Sequence, residues 1–258
     1  MANTPSRSDP ISERYFDAVE SAERLSDSLF YAGAALSLAS PFIDKAKSPL
    51  IYDGVLAMFV VAVVTLFAVG LCLRLYLTPR ADDRRRKDFF TSACNVNLTP
   101  ETTVGYYNND LAKPIDRIAA QLLENSHFSK HIALRMVKFE RAKVAVYATL
   151  WLIAVLNRST DLGWIAAAAQ AVFSEQILSK WFRLEWLRMR FERTFDDMYR
   201  LFQSRGSAQK FHAMTLDSLG MYETAKANAA VTLSSKIFQA ENPWLSAEWE
   251  AIKQRLQL

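Results

Sequence analysis

Four groups of side chains in this chain have types and spacings that can do chemistry. The run Arg84-Arg85-Arg86-Lys87 concentrates four cations. Such a run holds phosphate, on a lipid headgroup or on a phosphorylated ligand. It also fixes the orientation of a neighbouring membrane span with no ligand at all. The stretch Gly105-Tyr106-Tyr107-Asn108-Asn109-Asp110 sets two aromatic rings beside two amides. Adjacent tyrosines stack on a base or pack on a helix; Asn side chains read hydrogen-bonding edges or cap the helix that follows. His127 and His131 stand four apart, on one face of a helix, a spacing compatible with zinc. No cysteine or third histidine stands nearby, and Glu124 and Glu140 are weak partners, so neither a metal nor another cofactor is expected. Gln170, Glu175 and Gln176 fall inside an apolar segment. Polar groups at that depth are costly and face protein or water. Gln170 and Glu175 therefore line a polar path in an oligomer, or Glu175 pairs at the interface with Lys180 or Arg183.

What is missing is also informative. The chain has no glycine-rich phosphate loop, no GxSxG turn and no pair of acids spaced for catalysis, so no enzyme is expected. A net charge of +4 is too small to argue for DNA or RNA as partners. The residue content is 51% hydrophobic and 22% charged, with only seven glycines and few alternating runs, which predicts an all-α protein. Cys72 sits in an apolar run and Cys94 in a polar stretch, so both are read as free thiols. The N-terminus has no apolar core of a cleavable signal peptide.

The elements that position these residues are organised around 54–77, GVLAMFVVAVVTLFAVGLCLRLYL, which carries a single charge, Arg74. At 1.5 Å of rise per residue it can cross a hydrocarbon core of about 30 Å. Three more apolar blocks surround it: 29–43, 144–156 and 162–182. Basic residues crowd 80–87, 141–143 and 180–193, whereas the short connections 44–53 and 157–161 carry few. That alternation gives all four crossings one orientation, with both termini and the central loop in the cytoplasm. The expected plan is an amphipathic helix over 1–28, a transmembrane hairpin over 29–77, a cytoplasmic helical region over 78–143, a second hairpin over 144–182, and a long helix plus helical tail over 183–258. Helix breaks are expected at 125/126 and at Asn242-Pro243. Phe139 is expected on the apolar side of the central helix. The aromatic face of 183–205 needs a partner, either the central region or a second copy.

The segments DRRRKDFFTSACNVNL, TVGYYNND, LLENSHFSKHIALRM, YETAKANAAVTLSSKIF and NPWLSAEWEAIK, set between paired spans, resemble the SMODS-associating four-transmembrane effector family. The likeness runs from about Phe16 to Lys253 and includes Arg85, Tyr106, Tyr107, Asn108, Asn109, Glu124, Asn125, Phe128, Trp249 and Lys253; Cys94 departs from it. The resemblance implies a homo-oligomeric, pore-forming protein of the bacterial inner membrane that works beside a nucleotide-cyclising synthase in antiphage defence. A cyclic di- or oligonucleotide would act on the cytoplasmic portion, with Arg84, Arg85, Arg86, Tyr106, Tyr107, Asn108, Asn109 and Asn125 as ligand-binding residues and Gln170 and Glu175 lining the pore. The alternative is a membrane adaptor without a pore, which recruits a soluble partner through the aromatic face of 183–205.

Overall fold

The computed structural model describes residues 8–107, 109, 111–157, 163, 165, 168–169, 172, 174–204 and 206–258. Among these the regular structure is helical, and the one extended pairing is a lone antiparallel bridge between Ser8 and Val104. The α-helices are α1 (Asp17–Ala39), α2 (Pro49–Cys72), α3 (Thr78–Cys94), α4 (Pro114–Leu156), α5 (Lys180–Ser204), α6 (Ala208–Ala229) and α7 (Ser235–Leu256). The chain is all-α, as composition predicts.

The chain divides into two compact units. Unit 1 comprises Met1–Asp17, Pro79–Lys138 and Arg183–Leu258; unit 2 comprises Ala18–Thr78 and Phe139–Phe182. Unit 1 is built like a water-soluble bundle. Leu184, Leu187, Phe191, Met198, Leu201 and Phe202 recur on one side of α5 and are buried. They join Leu122 and Leu123 of α4, Tyr222 of α6 and Trp249 of α7 in one core. Each such side chain contributes about 1.5–3 kcal/mol on burial. The chain's own helices therefore cover most of the apolar side of α5, with Met189 left exposed.

Unit 2 has the opposite character. Few of its side chains are buried, and Leu50, Val61, Val64, Phe67, Ile153 and Leu156 are among many large apolar side chains left exposed. Helix α2, with its continuation into α3, is the one helix among the described residues long and apolar enough to cross a membrane. Its best window has a mean hydropathy of 2.8 and is only 6% buried. An exposed apolar surface of this size needs a nonaqueous partner. The predicted spans 29–43 and 144–156 do not reach that standard. Helix α1 carries Asp17, Glu20, Glu23, Arg24 and Asp27 in its first half. The block 144–156 is the end of α4, preceded by Lys138, Glu140, Arg141 and Lys143. The block 162–182 lies partly outside the described residues, Gln170 among those left out. Replacing Val64 with arginine should cost about 2.5–3.5 kcal/mol of insertion free energy. Protease protection in inverted vesicles measures it, and undiminished protection would remove α2 as a span.

Three local expectations are corrected. Helix α4 runs unbroken through Asn125 and Ser126. Their weak propensity is outweighed by packing of Leu122, Leu123, Ile132 and Ala133, and the Ser126 hydroxyl bonds back to the Leu123 carbonyl at 2.9 Å. Helix α7 likewise runs through Pro243, because Leu245, Trp249, Ile252 and Leu256 are buried along one side of it. Phe139 is not in an apolar interface: it is exposed. Pro79 is accommodated differently. The five residues before Thr78, Leu73–Leu77, form a π-turn that absorbs the proline's missing donor without ending the rod.

Candidate functional site

Successive residues of a helix point about 100° apart, so the consecutive Arg84, Arg85 and Arg86 of α3 cannot share a face. Arg86 pairs at the surface with Asp83 at 2.9 Å. Arg84 reaches Glu101 at 3.7 Å. Arg85 turns inward. One of its nitrogens donates to both carboxylate oxygens of Asp9, at 3.0 and 2.7 Å. Its guanidinium lies 4.5 Å from the centre of the Tyr106 ring and 5.5 Å from that of Phe16. A second Arg85 nitrogen is buried without a hydrogen-bond partner among the described residues. Burial works against the charge, but Tyr106 and Asp9 hold it, and the pKa of Arg85 is raised.

The tyrosines reach this place because the stretch 95–107 is pinned at several points, and Leu111 beyond it is held too. Thr91 of α3 accepts from the Leu98 amide at 3.1 Å. Buried Asp88 accepts from the Thr103 amide and hydroxyl, at 3.2 and 2.8 Å. Glu101 accepts from Thr99 and Tyr15. The Arg117 side chain donates to the Leu111 carbonyl at 2.6 Å. Gly105 then takes a left-handed conformation, φ 67°, that turns the chain into the Tyr106–Tyr107 pair. The two rings meet edge to face at 4.9 Å, and Tyr107 continues onto Phe89 at 5.9 Å. Burial, reinforced by Tyr106, pushes the Tyr107 hydroxyl well above its usual pKa, so it stays protonated. Gly105→Ala should cost about 1 kcal/mol or slightly more from the left-handed backbone alone. A thermal melt measures that cost, and an unchanged midpoint would show that the turn is not required.

Arg85, Tyr106 and Tyr107 are thus brought together, with Asp9 added by the fold. Asn109 is half-buried, and neither polar atom of its side chain has a hydrogen-bond partner among the described residues. Asn125 is half-buried on α4. Asn108 and Gln170 lie outside the described residues; Glu175 begins the π-turn Glu175–Ser179. Sequence reasoning missed Asp9 because it stands in a short polar segment with no periodicity. The bridge Ser8–Val104, with hydrogen bonds of 3.1 and 3.0 Å, seats that segment on the tyrosine loop. A separate cleft of about 250 Å³, lined by Lys113, Asp116, Phe202, Phe211 and His212 among others, contains none of the predicted site residues.

A second cluster was only half visible in the sequence. His127 and His131 are on α4, as their spacing requires, and Glu248 of α7 comes to meet them. One ligand-type atom from each lies within 4.8 Å of the others. Burial, helped by His131 and Lys130, lowers the pKa of His127 to about 4 and keeps its ring neutral. Glu248 stands more than a hundred residues further along the chain, so local spacing could not reveal it.

No known protein family, curated protein or solved structure matches this chain. The functional argument therefore rests on the two units and these clusters.

Proposed function

We propose that this chain is a multi-pass effector of the bacterial inner membrane, with both termini cytoplasmic. A cyclic nucleotide signal acting on unit 1 makes the protein oligomerise or rearrange and permeabilise the bilayer as part of antiphage defence. The observation that carries the membrane half is the exposed apolar surface of unit 2, in contrast to the buried hydrophobic core of unit 1. On this reading α1, α2, the end of α4 and the segment 162–182 make four crossings. Gln170 and Glu175 line the path. What supports the sensing half is Arg85, a guanidinium with one nitrogen on a carboxylate, another nitrogen unused and the Tyr106 ring beside it. The geometry that holds a carboxylate also suits a phosphate, and an aromatic neighbour suits a base. Asp9 then acts as an internal stand-in that the ligand displaces. Such a ligand activates only if it binds the rearranged state more tightly than the resting one.

The test uses purified protein inserted in dye-loaded liposomes and a panel of cyclic di- and trinucleotides. Release that depends on one nucleotide is expected. No release with any of them, from protein shown to be inserted and folded, would overturn the reading.

A further inference from the structure

We propose that His127, His131 and Glu248 form a binding site for a divalent transition-metal ion, zinc foremost, that staples α4 to α7. The proposal is independent of the membrane reading, since all three residues belong to unit 1.

Two histidine nitrogens and one carboxylate oxygen are a donor set that suits zinc, whereas calcium and magnesium prefer all-oxygen sites. The donors converge: His127 Nε2 is 3.7 Å from Glu248 Oε2, and the whole trio falls within 4.8 Å. Bonds of about 2.0–2.2 Å around a tetrahedral zinc put ligand atoms roughly 3.3–3.5 Å apart, so closure asks for about 1 Å of movement. Glu248 can supply it, its side chain being 41% exposed, and this exposed side also gives the ion a way in.

Tautomers and unmet valence point the same way. The His131 Nδ1 lies 3.1 Å from the His127 carbonyl. A carbonyl only accepts, so Nδ1 carries the proton and Nε2 keeps its lone pair, the usual arrangement that orients a histidine ligand. The His127 ring nitrogens and Glu248 Oε2 are buried with no hydrogen bond of normal geometry. The backbone of Leu245 is another polar group that acts on the His127 ring. Buried polar atoms without partners are costly, and a cation between His127 Nε2 and Glu248 Oε2 satisfies one nitrogen and the carboxylate oxygen together. Lys130, the neighbouring cation, lies over the Phe195 ring at 3.2 Å, and Asp196, Glu248 and Glu192 offset its charge. With three protein ligands a fourth position stays open for water.

The experiment uses the full chain in detergent, stripped with chelator and then dialysed against zinc chloride. The expected result is one zinc per chain by elemental analysis, a higher melting temperature, and visible bands of a low-coordinate site when cobalt(II) replaces zinc. Glu248→Gln should weaken binding by more than about 100-fold, beyond the effect usual for an outer-sphere partner. His131→Gln should do the same if the first variant folds poorly. The third histidine, His212 on α6, is outside the cluster. His212→Gln should therefore leave binding intact. Zinc lost on dialysis, or retained equally by E248Q and H131Q, would overturn the site, as would binding that depends on His212.

Discussion

Trp249→Ala is expected to unfold unit 1 or to lower its melting temperature on the order of 10 °C. The indole is 1% exposed and sits in the core with residues of α4, α5 and α6. Truncating a buried tryptophan costs roughly 3–5 kcal/mol, from lost transfer free energy and the cavity left behind. Domains have only about 5–15 kcal/mol in hand, and for one of this size each kcal/mol moves the midpoint by about 2–4 °C. Trp249→Phe keeps much of the volume and should recover over half of the loss. A melt followed by circular dichroism in detergent, with limited proteolysis of the 183–258 segment, separates the outcomes. A shift under about 2 °C for the alanine variant would mean that α7 is not part of the core. Trp249 is one of the residues carrying the family resemblance; its burial gives it a packing role, with no ligand contact needed.

How much of this was legible in the sequence follows from which interactions are local. The heptad-like spacing of Leu184, Leu187, Phe191 and Met198 announces a buried helix face. It cannot say what covers that face, because the covering residues Leu122, Tyr222 and Trp249 are distant in the chain. The uninterrupted run 54–77 announces a span by length and composition, and α2 meets that test. The shorter blocks 29–43 and 144–156 are continuous with charged helix, so their apolar content alone does not qualify them. The weak helix propensities of Asn125-Ser126 and Asn242-Pro243, up to about 3 kcal/mol for proline, predict breaks that tertiary packing overrides. The site shows the same division. Arg85, Tyr106 and Tyr107 stand out by residue type, and the histidines by spacing. Asp9 and Glu248, which complete the two clusters, are ordinary surface carboxylates until the fold brings them in.

Arg85→Ala and Asp9→Ala should change ligand sensitivity in opposite directions, although they break the same ion pair. The pair is well shielded, with side chains 16% and 23% exposed, and both variants lose its contribution to stability. A charge-assisted hydrogen bond is worth about 1.5–3 kcal/mol. If Arg85 is the phosphate contact, its loss should raise the nucleotide concentration needed for dye release by roughly 10- to 150-fold, since about 1.4 kcal/mol corresponds to a factor of ten. Losing Asp9 removes the competing anion and leaves the guanidinium open, so less nucleotide should be needed. Asp9→Asn, which keeps the shape and drops the charge, should shift sensitivity the same way with a smaller change in melting temperature. A purely structural brace makes a different prediction: its loss from either side loosens the Ser8–Val104 seat and the tyrosine loop alike, and both variants weaken the response together. Dose–response curves for leakage, read beside melting temperatures of the same preparations, decide between them. Parallel loss in both variants would assign Arg85 to the fold and send the search for the ligand elsewhere in unit 1.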